Sequence, residues 1–250
     1  MPGVFVTRGM TFGIPSLSIT FRDDGSIEMP SVTLQVRFDV CPTWLQLAQH
    51  HLDGAIAAKA NRNRVWAETN NDAKAKALEV EFETSMQAIV AAAIAWDAFY
   101  AIIRESVSIP ETTQKKWRDG RTSRHSQVAE VVRRGFTLKP QQTSILRAHL
   151  KELYGARDLA VHPSGKVEAP QLHPELDVGV EWRFAYFRAA NAEAAVAMSA
   201  NILWELAVNT KSRNPKISNY QKTLSSRLKG VFPDGPPRLP VQPQRASDKS

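Results

Sequence analysis

Three side chains suited to acid–base and charge-stabilising chemistry, Arg157, Asp158 and His162, crowd into the stretch Tyr154-Gly155-Ala156-Arg157-Asp158-Leu159-Ala160-Val161-His162-Pro163-Ser164-Gly165. An imidazole exchanges protons near neutral pH, and a guanidinium offers a planar fork of donors to a phosphate or carboxylate. Their spacing decides which of them cooperate. At about 100° per residue, Asp158 and His162 are one turn apart on a helix face, so Asp158 is placed to orient the imidazole. Arg157 and His162 diverge by about 140° on the same helix. Both reach one phosphate only if the helix end unwinds or a second copy of the chain completes the site.

The element that must carry them is a helix. Apolar positions Ile145, Leu146, His149 (or Leu150), Leu153, Ala156 and Ala160 recur every three or four residues from near Pro140, and Pro163 forces His162 out of the helical region at its end. A longer periodic segment precedes it, from about Asp72 to Glu105, with Leu78, Phe82, Met86, Ile89, Ala93, Trp96, Tyr100 and Ile103 in a stripe. Between Ile89 and Ile103 that segment is apolar all round except for Asp97, which predicts a central helix of a bundle. A carboxylate there must be paired, hydrogen-bonded or protonated. It makes either an internal bond to an Arg, a Tyr or the backbone, or, more specifically, the support of Arg157.

The remaining chain predicts a mainly α fold with a small N-terminal antiparallel β element. Residues 1–42 form that element: Val32, Leu34, Val36, Phe38 and Val40 alternate with polar residues as in a half-buried strand, and Arg22-Asp23-Asp24-Gly25-Ser26 reads as a turn. Residues 43–209 form the helical bundle. It opens on a helix capped by Thr43 that runs to about Ala60, followed by a polar connection over 61–71. Pro110 is followed by a basic loop, Lys115 to His125, then a short helix over about 126–134. Val178, Val180, Trp182 and Phe184 alternate as a strand over 178–187 that could join the N-terminal sheet, and Asn191 caps a last helix ending near Asn209. Residues 210–250, rich in Pro, Ser and Lys, read as a basic disordered tail.

With 250 residues, 43% of them hydrophobic, the chain has material for a substantial core. Cys41 is the one cysteine, which excludes an intrachain disulfide and a cysteine-based zinc site and fits a reducing cytoplasm. No apolar run approaches the roughly 20 residues of a membrane span free of charge, so no membrane association is expected. The net charge of +7 is concentrated in residues 211–250, leaving the body neutral. Within that body, residues 113–139 hold eight Lys or Arg against Asp119 and Glu130. His50, His51 and Asp53 are adjacent enough to suggest a metal, yet neighbouring helical positions point about 100° apart, and a solvated face is the plainer reading. Glycine-rich phosphate loops, zincin helices and nucleophile elbows are missing from the sequence, so no cofactor is expected.

Arg157-Asp158-Leu159-Ala160-Val161-His162 resembles the Arg, polar residue, then His motif of the HEPN superfamily, and the alanine-rich segment with an acidic residue amid aromatics (Ile94 to Phe99) resembles an early helix of many such proteins. The resemblance spans about residues 72–209. It implies an all-α domain and a homodimer whose two motifs meet. It also implies a metal-independent endoribonuclease, in the setting of a toxin or defence effector, leaving a 2′,3′-cyclic phosphate and a 5′-hydroxyl. Arg157, Asp158 and His162 are then the catalytic set and Asp97 their support. Lys115, Lys116, Trp117, Arg118, Arg121 and Arg124 are candidates to hold RNA, with Trp117 stacking on an unpaired base. The same loop also reads as a solvated connection. Two other readings stay open: a non-catalytic helical interaction or dimerisation module with a protein partner, and a DNA binder, for which the sequence offers no helix-turn-helix spacing.

Overall fold

A computed structural model describes residues 4–14, 19–28, 34–162 and 164–240. The chain divides into two units, Met1–Val40 and Cys41–Ser250.

Among the described residues the first unit holds two antiparallel ladders. β1 (Met10–Gly13) pairs with β4 (Gln35–Phe38), Met10 opposite Phe38, and β2 (Thr20–Phe21) pairs with β3 (Ile27–Glu28). The turn at Gly25 is as the sequence predicts: Gly25 has φ +80°, and the Ser26 N–H donates to Asp24 Oδ1 at 2.8 Å. The half-buried face is not. Val36 and Phe38 are exposed together with Gln35 and Arg37, because a two-stranded ladder has no second layer of its own to cover it. Leu17, Val32 and Thr33, part of the same expectation, lie outside the described residues.

The second unit is mainly helical, and its order follows the chain. α1 (Cys41–Trp66) and α2 (Asn71–Arg104) form a long antiparallel pair, followed by α3 (Glu111–Asp119), α4 (Arg124–Phe136) and α5 (Pro140–Val161). A short hairpin of β5 (Gln171–Leu172) and β6 (Gly179–Val180) leads to α6 (Trp182–Tyr186), α7 (Ala189–Trp204), a π turn (Glu205–Asn209) and α8 (Pro215–Val231). α2 is central and packs against α1, α4, α5 and α7. Its buried Ala88, Ala91, Ala92, Ala93 and Ala95 let those neighbours approach closely, while Trp96 and Phe99 fill the space between them. Each fully buried large side chain contributes about 1.5–3 kcal/mol. α2 is long and apolar enough to cross a membrane by composition alone, with 56% of that window buried inside the protein.

Several expectations are corrected. α1 begins at Cys41, so Thr43 lies inside the helix and its Oγ1 accepts from Arg227 Nη2 at 3.2 Å; the helix then continues to Trp66 because Arg62 and Val65 are buried. Residues 115–118 belong to helix α3 and not to a loop. The segment 178–187 does not extend the N-terminal sheet: β6 pairs with β5, and Glu181, whose carboxylate accepts from the Arg183 N–H at 3.0 Å, caps α6. The Asn191 cap fails in the same region, since α7 starts at Ala189 and Asn191 Nδ2 donates to the Tyr186 carbonyl.

The tail is corrected as well. Residues 215–231 form α8, whose Ile217, Leu224 and Leu228 recur at helical spacing and are buried. Gln221 of α8 reaches the π turn, where its Nε2 donates to the carbonyls of Leu206 and Thr210. A π turn leaves carbonyls out of register with the α-helical ladder, and Gln221 satisfies two of them. Residues 241–250 lie outside the described residues.

Candidate functional site

Asp97, midway along the apolar half of α2, is the hub of a four-part cluster. Its Oδ1 accepts from Arg124 Nε at 2.8 Å and from the Tyr154 hydroxyl at 2.9 Å, and its Oδ2 accepts from Arg157 Nη1 at 2.8 Å. Arg157 turns its other edge to Asp158, with Nε at 3.1 Å and Nη2 at 2.8 Å from Oδ1. The guanidinium of Arg157 also lies 4.6 Å from the Tyr154 ring, and that of Arg124 lies 4.0 Å from the Tyr100 ring. Helix spacing produces this arrangement: Tyr154 and Arg157 are three apart on α5, Asp97 and Tyr100 three apart on α2, so each helix presents a ring beside a charge.

The cluster is at the solvent edge. The side chains of Asp97 and Arg157 are 28% and 23% exposed, that of Asp158 57%. Burial, and then the Asp97 carboxylate, push the Tyr154 hydroxyl well above its ordinary range, so it stays protonated and donates. Charges balance, two guanidinium groups against two carboxylates.

His162 stands at the end of α5. Its backbone N–H donates to the Asp158 carbonyl at 2.9 Å, and its φ of −122° takes it out of the helix. The ring is exposed and makes no hydrogen bond or ion pair with the described residues. The expected orientation of His162 by the Asp158 carboxylate is therefore corrected: that carboxylate binds Arg157, the stronger partner because its fork offers two N–H groups at once. Pro163, the expected stop, lies outside the described residues.

The basic residues separate into two groups. Arg124 opens α4 and is committed to Asp97 and Tyr100, so it supports the cluster and is not free for a ligand. Lys115, Lys116 and Arg118 on α3 and Arg121 in the following turn are exposed without side-chain partners among the described residues. Arg121 holds the left-handed φ of 45° that closes the turn. Trp117 is half-buried and packs against the core, so only part of its ring faces outward.

A second ionic cluster escaped the sequence reading. Arg62 of α1, fully buried, lies 2.5 Å from Glu81 of α2 and 2.7 Å from Glu175, and Glu175 also takes Lys59 at 3.0 Å and Arg188 at 2.8 Å. Glu81 Oε1 accepts the Ala189 N–H that opens α7. Burial opposes the charge on Glu175, yet hydrogen bonds from Arg62 and Lys59 hold its pKa down to about 2. The partners are far apart in sequence, and the only local signal is an arginine at a helix position that should be apolar. His149, placed among the apolar positions of α5, is indeed buried; Nε2 meets Ser199 Oγ at 2.9 Å, and burial lowers its pKa to about 4.

Among the described residues no three His, Cys, Asp or Glu gather as a metal site would require. The rings of His50 and His51 are tilted by 59° to each other with centroids 5.6 Å apart. No family model, curated protein or solved structure matches this chain, so the cluster around Asp97 is interpreted from its own geometry.

Proposed function

We propose that the chain is a metal-independent endoribonuclease of HEPN type, working in the cytoplasm as a homodimer in the setting of a toxin or defence effector. One observation supports this most. Asp97 grips Arg157 from the protein side through Nη1, while Nε and Nη2 face an exposed carboxylate that a phosphate can replace. Asp158 then serves as a stand-in anion that keeps the fork aimed outward until RNA arrives. The exposed His162 ring takes the proton of the ribose 2′-hydroxyl. The resulting oxygen attacks phosphorus, Arg157 stabilises the charge that develops, and the 5′-oxygen leaves with a proton from His162 of a second copy. Products are a 2′,3′-cyclic phosphate and a 5′-hydroxyl. A second copy is invoked because the motif of each chain brings one imidazole, His162, and the reaction as written uses a base and an acid.

The test is incubation of the full chain with a mixed RNA pool in EDTA, beside His162→Ala and Arg157→Ala. Wild type is expected to release fragments with cyclic phosphate ends, and each variant to do so at least about 100-fold more slowly. His162→Ala is the decisive arm, since an exposed ring without partners is lost at no cost to the fold. Equal cleavage by wild type and His162→Ala overturns the assignment.

A second reading, a non-catalytic helical interaction or dimerisation module with a protein partner, is favoured by the engagement of all three Arg157 nitrogens inside the chain. It predicts intact RNA with every variant and lower stability for Arg157→Ala alone.

A further inference from the structure

Asp97, Tyr100 and Arg104 follow each other at three and four residues on α2 and form one stripe along its surface. The Asp97 end belongs to the cluster described above. At the Arg104 end, Tyr100 and Arg104 meet Gln114, Trp117 and Arg118 of α3 and Gln127 of α4 around a cavity of about 220 Å³. Among the described residues no carboxylate lines it.

The polar groups in this cavity are not spent on one another. Arg104 makes one long bond, 3.4 Å from Nη1 to the Val107 carbonyl, and Arg118 has no side-chain partner among the described residues. Each glutamine has its amide nitrogen occupied: Gln114 Nε2 donates to the Ile109 carbonyl and Gln127 Nε2 to the Thr122 carbonyl, both at 2.8 Å. A carbonyl only accepts, so these bonds fix which end of each amide is nitrogen and leave both Oε1 atoms as unused acceptors. Two cations, two acceptor oxygens and two aromatic rings thus line one small space. That combination matches a nucleotide, with an anionic phosphate, a flat ring and exocyclic amino donors. The volume lies below the ~300–1,000 Å³ usual for larger ligands, which limits the occupant to one such unit.

We propose that this cavity receives a single unpaired nucleotide of an RNA strand. Its phosphate meets Arg104 and Arg118, its base lies against the outward part of Trp117, and its amino group meets the glutamine oxygens. Adenine, cytosine and guanine carry that amino group, and uracil does not. The proposal rests on the ribonuclease reading for the identity of the strand, and it places this subsite beside the Asp97 cluster along α2.

The experiment measures binding of fluorescein-labelled oligo(A) and oligo(U) to the full chain by anisotropy at fixed salt. Wild type is expected to prefer oligo(A). Arg118→Ala should weaken oligo(A) roughly tenfold, as for loss of a charge-assisted bond, and Trp117→Phe should shrink the preference while keeping the core filled. Lys76→Ala removes one positive charge from an exposed position of α2 outside the cavity and should change binding less than about twofold. Equal losses in Arg118→Ala and Lys76→Ala, or equal affinity for the two oligomers, overturn the proposal. So does binding of AMP without binding of oligo(A). The two readings fail separately: no cleavage with the binding pattern intact removes the ribonuclease and keeps the subsite, whereas cleavage with a flat binding pattern does the reverse.

Discussion

Glu81 and Asp97 stand about 24 Å apart on α2 by helix rise, and each anchors a cluster of arginine and carboxylate. At Glu81 the arginine is fully buried; at Asp97 the outermost carboxylate is more than half exposed. The chemistry is the same and the solvent differs. In the sealed pair neither Arg62 nor Glu81 can leave, because an unpaired charge in the interior costs several kcal/mol, and with Glu175, Lys59 and Arg188 at its partly exposed rim it ties α1, α2, the Glu175 segment and the start of α7 together. In the open cluster Asp158 can give up Arg157 to an incoming anion, since water takes the carboxylate at little cost. An ion pair at a solvent edge, held from one side and replaceable from the other, is where binding chemistry is expected.

The largest expected effect breaks the sealed side. Arg62→Ala leaves Glu81 buried without its cation and should cost about 3–5 kcal/mol in denaturant unfolding, with loss of folded protein at 37 °C. Next is an acid effect outside both clusters. His149 is held neutral, with a folded pKa of about 4 against an ordinary 6.5. The unfolded chain therefore binds a proton first as pH falls. The stability gained by a neutral His149 is complete above pH 6.5, and roughly 3 kcal/mol of it disappears on the way down to 4. A pH series of melts should show that loss, and His149→Leu should flatten it. Smaller again is Asp97→Asn, about 1–3 kcal/mol by the same unfolding measurement, because the released arginines reach water. If Asp97→Asn proves as costly as Arg62→Ala, the contrast between sealed and open clusters collapses. The smallest effect on stability is His162→Ala, whose melting midpoint should match wild type while RNA cleavage falls.

Sequence made α2 and α5 legible almost to the residue: expected limits of about Asp72 to Glu105 and of Pro140 onward meet Asn71–Arg104 and Pro140–Val161. Periodicity is strong in both, since their apolar faces are long and their ends carry Asn or Pro. Asp97 was legible too, from necessity, because a carboxylate among Ala, Ile, Trp and Phe has to find a cation. Arg124 was not. A run of basic residues shows how many cations are present and not which one turns inward, and only the fold brings Arg124 to Asp97. Arg62 with Glu175 was hidden for a similar reason, their separation of 113 residues. Composition masked α8, whose apolar spacing at Ile217, Leu224 and Leu228 sits among Ser, Lys and Asn. Alternation misled at Val178 to Phe184, where a period of two gave way to a helix cap at Glu181.

The bond between Gln221 and the π turn also bears on how the protein is made. Chains leave the ribosome from the N-terminus, and of the described helices α8 emerges last. Until it does, the Leu206 and Thr210 carbonyls lack their Gln221 donor, and the groove that takes Ile217 beside Gly135, where even an added Cβ would sit 3.0 Å from Ile217, stays open. The bundle thus closes last at its C-terminal helix, and its final sealing waits for α8 to emerge and dock.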